Sequence, residues 1–83
     1  MPEDVNVAEE VKKLIVERFR RSEEEVTDDA KFVDDLNFDS LDITEMIMAL
    51  EEEYNIDIVE EEANQIETVG DAIRHIEAKM KEG

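Results

Sequence analysis

Asp39-Ser40-Leu41-Asp42 is the stretch of this 83-residue chain whose residue types most suggest chemistry. It places a hydroxyl between carboxylates at the predicted start of an amphipathic helix. A serine that attacked a substrate unaided would need a base within hydrogen-bond reach and a third group to orient that base. The only histidine is His75. It falls off the apolar stripe of the last predicted helix, so it is expected on the solvated surface, and nothing in the sequence brings it to Ser40. Capping does not account for Ser40 either, because Asp39 already fills the N-cap role. Amides at a helix N-terminus favour a phosphate there. The remaining expectation is a hydroxyl that another enzyme modifies.

A calcium loop is the second chemistry to weigh. Asp35, Asn37 and Asp39 alternate as the first three ligands of an EF-hand do. The position that needs glycine is Ser40, and the twelfth position, which needs a bidentate glutamate, is Met46. The motif fails at both, so loose surface binding of divalent cations stays open and a dedicated site does not follow.

Charge selects the partner class. With 26 acidic and 9 basic residues the net charge is −17. Nucleic acid is excluded as a natural ligand, since binding it releases counterions through Lys and Arg. An anionic membrane surface repels the chain for the same reason. A basic protein surface is the natural complement, although acid that merely maintains solubility fits the composition equally. The absence of cysteine excludes disulfides, thiolate metal sites and a cysteine nucleophile, so any thiol must come from a prosthetic group. No apolar run approaches the ~20 residues of a membrane span. Met1-Pro2-Glu3-Asp4 lacks a basic and apolar leader, so a cytoplasmic location is expected.

These residues must be positioned by helices. A chain of this length makes one domain, taken as 1–83, with a thin core. Val7, Val11, Leu14, Ile15 and Phe19 predict a helix from about Asn6 to Arg20, with no glycine to cap its end. From Ser22 to Asp39 no period holds, and a connection this long needs apolar pins, with Phe32 and Leu36 the expected anchors. The second helix is predicted from Ser40 to Tyr54, and a short turn near Glu60–Asn64. Thr68-Val69-Gly70-Asp71 reads as a capping box, opening a last helix to about Lys81 whose stripe is Val69, Ala72, Ile73, Ile76 and Met80. The expected fold is all-α, a small antiparallel four-helix bundle of three main helices plus one short one.

At roughly 100° per residue, Ile43, Met46, Ile47, Leu50 and Tyr54 share the core-facing arc of the second helix. Leu41 and Met48 project to nearly the opposite side, beside Thr44, Glu45 and Glu52. They are either ordinary exposed apolar residues or a docking spot inside an acidic field. Glu51, Glu52 and Glu53 oppose the helix macrodipole at a cost of roughly a few tenths of a kcal/mol each; either solubility or a partner explains them, and the partner is the favoured reading.

The run Asp34-Asp35-Leu36-Asn37-Phe38-Asp39-Ser40-Leu41-Asp42, then Glu45 and Met48-Ala49-Leu50-Glu51-Glu52-Glu53-Tyr54, closely resembles the acyl carrier protein family. Val11-Lys12-Lys13, Glu25-Val26-Thr27 and Thr68-Val69 extend the likeness over nearly the whole chain. The resemblance implies a non-enzymatic carrier whose Ser40 receives 4′-phosphopantetheine from coenzyme A by a phosphopantetheinyl transferase (holo-synthase). The arm's thiol then holds acyl groups as thioesters for fatty-acid synthesis enzymes. It further implies a partner surface at Asp39, Leu41, Asp42, Glu45, Met48, Glu51 and Glu52 that meets basic docking surfaces. It places an acyl pocket at Phe32, Val33, Leu50, Ile58, Ala63, Ile66 and Ala72, and a monomeric carrier is expected. Four departures stand out. The family's usual glycine before Ala-Asp-Ser is Asn37-Phe38, and the Gly-Val that ends the first helix is Arg20-Arg21. Ile-Pro before the short helix is Ile58-Val59, and the valine one turn after the serine is Thr44. A carrier of aminoacyl or polyketide units, an acidic divalent-cation-binding helical protein and an unmodified acidic adaptor remain the alternatives.

Overall fold

The computed structural model describes residues 6–82; the acidic N-terminal tetrapeptide lies outside them. Four helices follow in order: α1 Val7–Phe19, α2 Ser40–Tyr54, α3 Glu60–Ala63 and α4 Val69–Glu82. α1 packs chiefly against α4 and also against α2. Val11, Ile15, Phe32, Leu36, Met46, Leu50, Val69 and Ile76 are the large side chains at the centre of the core. Among the described residues no strand forms beyond an isolated antiparallel bridge between Lys31 and Thr68, and no helix is long and apolar enough to cross a membrane.

Three helix starts follow from side chains that reach back to amides. Asn6 caps α1 by accepting from the Glu9 amide at 3.3 Å. The expected box at α4 forms: Asp71 N donates to Thr68 Oγ1 and Thr68 N to Asp71 Oδ2, both at 3.1 Å. α3 is weaker. Val59 offers no acceptor, and only Glu62 reaches back, to the Val59 amide at 3.2 Å.

The ends of α1 and α2 have a different cause. Arg20 (φ 56°) and Asn55 (φ 56°) both take the left-handed conformation that glycine usually supplies. For arginine this costs roughly 1–2 kcal/mol. The next residue offsets that strain. Arg21 donates from Nε to the Leu36 carbonyl at 2.8 Å and from Nη1 to the Phe19 carbonyl, and its guanidinium lies 5.2 Å over the Phe38 ring. Phe38 packs in turn on Phe19 at 4.8 Å and Phe32 at 5.4 Å between ring centroids. The end of α1, turned by arginine rather than glycine, is thereby clasped to the loop that enters α2.

That loop is pinned as expected by Phe32 and Leu36, both fully buried. Backbone bonds hold it against the start of α4 as well: Phe32 N to Glu67 O, Val69 N to Ala30 O and Gly70 N to Asp28 O, the last at 2.8 Å. A Cβ at position 70 would stand 3.0 Å from that Asp28 oxygen, so glycine admits this close approach.

Two expectations are corrected. Met80 lies off the core at 41% exposure, because the buried stripe of α4 ends at Ile76, about two turns into the helix. His75 is not a solvated residue. Its ring is half-buried, with Nε2 3.5 Å from Glu62 Oε2, while Lys79 Nζ holds the same carboxylate at 3.0 Å. The position reads as off-stripe because α3, which covers it, carries little apolar signal of its own.

Candidate functional site

Ser40 is the first residue of α2 and is exposed. Its placement follows from the two aspartates around it. Asp39 Oδ1 accepts from the Asp42 amide at 2.8 Å, and Asp42 Oδ2 accepts from the Asp39 amide at 3.2 Å. This reciprocal box fixes the helix start and leaves Ser40 without a capping duty. Ile43 N closes the first backbone bond onto Asp39 O at 3.1 Å. The remaining first-turn amides, of Ser40 and Leu41, have no acceptor within the helix, as at any helix start. Asn37 (φ 62°) turns the chain into the helix, a left-handed position that asparagine tolerates better than most residues.

Down α2 the expected faces separate. Met46, Ile47 and Leu50 are buried, with Ile43 and Tyr54 partly so, while Leu41 is 73% and Met48 53% exposed. Glu45 and Glu52 are exposed beside Met48. Glu51 differs from its neighbours: Oε2 accepts from the Ile58 amide at 2.8 Å, so its carboxylate holds the segment that leads to α3. Tyr54 donates its hydroxyl to Glu10 Oε1 at 2.8 Å. Burial raises its phenol well above the ordinary range, aided by that bond and by the charges of Glu10 and Glu53, so it stays protonated.

Two cavities border this helix. One of about 370 Å³ lies between α2 and the end of α1, lined by Arg18, Phe19, Glu45, Met48, Ala49 and Glu52. Arg18, Phe19 and Ala49 were not expected there, since their meeting depends on how α1 crosses α2. The other, about 310 Å³, lies near Ile43, one turn beyond Ser40, and includes Phe32, Val33 and Ile66 from the expected pocket set. Val33 is 57% exposed at its edge; Leu50, Ile58 and Ala72 lie in the packed core, and Ala63 and Ile66 are partly buried against it.

The carboxylates that tie elements together are perturbed. The Lys79 hydrogen bond holds Glu62 below the usual carboxylate range, against a smaller opposing desolvation, with help from the Val59 amide and His75. Burial alone would raise Asp71, but amide bonds from Glu67 and Thr68, the Thr68 hydroxyl and Arg74 at 2.6 Å together hold it low. Among the described residues no three His, Cys, Asp or Glu side chains gather into a metal site. The EF-hand-like aspartates have other partners: Asp35 accepts from the Lys31 amide at 2.8 Å, and Asp39 caps α2.

A small all-α bundle that presents an exposed serine at a capped helix start is compatible with a carrier of a group attached to that serine. Comparison with known proteins agrees. Residues 9–76 match the phosphopantetheine attachment site family. The acyl carrier protein of Solidesulfovibrio magneticus is 54% identical over 78 residues, covering 94% of this chain and all of that protein. That of Wolinella succinogenes is 49% identical over 71 residues, covering 86% and 93%. The solved structure of the acyl carrier protein from Enterococcus faecalis superposes with a TM-score of 0.75 at 38% identity, covering 88% of this chain and 92% of that one. The chain belongs to the acyl carrier protein family. It is a carrier rather than an enzyme, it bears a 4′-phosphopantetheine group, and its general function is acyl delivery to fatty-acid synthesis. Its partners are a phosphopantetheinyl transferase and acyl-processing enzymes.

Proposed function

We propose that Ser40 carries the prosthetic group and that the exposed face of α2 is where loading and acyl-processing enzymes dock. One observation carries the assignment: Ser40 stands exposed at the start of α2 while Asp39 and Asp42 do the capping around it. The residues present fit the group. The first-turn amides of Ser40 and Leu41 and the positive end of the helix would favour a phosphodiester on the Ser40 oxygen. When bound, the arm supplies a terminal thiol that this cysteine-free chain lacks, and that thiol holds acyl groups as thioesters.

The chain's own part is presentation. Asp39 and Asp42 hold the hydroxyl at a fixed helix end, and the Arg21–Phe38 clasp steadies the segment that leads into it. Glu45 and Glu52 attract a basic docking surface, and Leu41 and Met48 give it apolar contact. The cavity at Phe32, Val33, Ile43 and Ile66, backed by Leu50, Ile58, Ala63 and Ala72, is the proposed shelter for the acyl chain. The same reading has the carrier working as a one-domain monomer in the cytoplasm.

The test is intact mass after incubation of the apo chain with coenzyme A and a phosphopantetheinyl transferase. The expected result is one added phosphopantetheinyl group on the wild type and none on Ser40→Ala. Addition to Ser40→Ala, or no addition to a folded wild type, rejects the assignment.

A further inference from the structure

Three of the nine basic residues stand within four positions, at Arg18, Arg20 and Arg21. Arg21 is committed to the Leu36 and Phe19 carbonyls. Arg18 is exposed, and it forms a wall of the cavity whose opposite wall is Glu45, Met48 and Glu52. The floor is Phe19 and Ala49. This groove therefore has an apolar base, two carboxylates on one side and a guanidinium on the other.

Arg18 lies in the last turn of α1, where a cation is favourable for the helix alone. Position in the docking field gives it a second consequence. Met48 is eight residues beyond Ser40, about 12 Å along the helix axis. An enzyme whose active site reaches Ser40 covers a patch of standard size and so overlies this groove. Within an otherwise attractive acidic field, a basic group placed directly opposite Arg18 would be repelled by it.

We propose that the phosphopantetheinyl transferase fills the groove with one large apolar side chain, flanked by a basic group facing Glu45 and Glu52 and by an acidic group facing Arg18. This rests on the reading of Ser40 and α2 above and adds the α1 wall to it. The mixed charge sets the register of docking, because a shifted enzyme would oppose like charges.

The experiment is the KM of the apo chain with that transferase and coenzyme A, at low and moderate salt, for wild type, Arg18→Glu, Arg18→Gln, Met48→Ala and Glu45→Lys. Arg18→Glu is expected to raise KM roughly three- to tenfold with kcat unchanged, Arg18→Gln less, and the ratio to wild type should shrink as salt screens the new repulsion. Met48→Ala should raise KM with little salt dependence. A KM for Arg18→Glu that is unchanged, or lowered as extra negative charge would give on a uniformly basic enzyme, overturns the proposal. Glu45→Lys separates the layers. If it raises KM while Arg18→Glu does not, only the α1 wall is wrong; if it too is silent, docking on α2 fails and the groove with it.

Discussion

Arg21→Ala is the sharpest test of how the serine is held. In the structure this side chain makes two hydrogen bonds from a charged donor to main-chain oxygens, on Leu36 and Phe19, and stacks on Phe38. A bond from a charged group contributes about 1.5–3 kcal/mol at full burial, and partial exposure here brings each closer to ~1 kcal/mol. The cation–π contact adds roughly 0.5 kcal/mol. The sum, about 2–3 kcal/mol, is a large share of the stability of so small a domain. Part of the loss also falls on Arg20, whose left-handed backbone is held by the clasp. Urea unfolding followed by helical circular dichroism reads it directly. With a slope near 1 kcal/mol/M the midpoint should fall by about 2 M, and Arg21→Lys, which keeps the charge but not the fork, should recover only about half. Arg20→Ala, exposed and one residue away, is the control and should move the midpoint little. A fall below about 0.5 M for Arg21→Ala, or full recovery by lysine, would show that the clasp is incidental.

Two carboxylates adjacent in sequence should behave oppositely. Glu51→Ala removes the acceptor of the Ile58 amide and should cost about 1 kcal/mol; Glu52→Ala should be neutral or raise the melting temperature slightly, since its charge opposes the α2 dipole, and equal losses in calorimetry would contradict this. Asp71 has a folded pKa below its unfolded one, so the stability it supplies is present above about pH 4 and is lost as pH falls through the lowered value. The melting-temperature gap between wild type and Asp71→Ala should therefore be full at neutral pH and narrow in acid, while charge relief common to both chains cancels from the difference. A gap that stays constant down to about pH 2 rejects the linkage.

Much of the fold was legible because its signals are local. The limits of α2, the Thr68–Asp71 box and the anchors Phe32 and Leu36 each follow from a few neighbouring residues, and the structure places them as the pattern predicts. The separation of Leu41 and Met48 from the core arc is likewise a property of one helix. Illegible features depend on which element crosses which. Glu51 looks like Glu52 until the α2–α3 segment folds back onto it, and His75 looks solvated until α3 covers it. The end of α1 falls where the pattern puts it, but what holds it was illegible for a related reason. Arginine and asparagine hold left-handed positions at 20 and 37, and the contact beside the first, Arg21 reaching Leu36, spans fifteen residues.

The acidic surface divides into two populations with different physical roles. Asp39, Asp42, Glu51, Glu62 and Asp71 each accept from a backbone amide, and Glu62 and Asp71 also from a cation, so their charge is consumed in holding helix starts and connections. Glu45 and Glu52 line a groove instead, and in that position negative charge is costly to the folded chain but useful to a visitor. Neutralising the first group weakens the fold, and neutralising the second weakens recognition. Net charge alone cannot express that distinction. A carrier that must be met by many enzymes, yet remain folded at −17, needs its amide-bound acids to offset the repulsion its docking acids create. The capping box around Ser40 is where the two requirements meet: two aspartates hold the helix end rigid with one oxygen each, and the other oxygens still contribute to the field a partner senses.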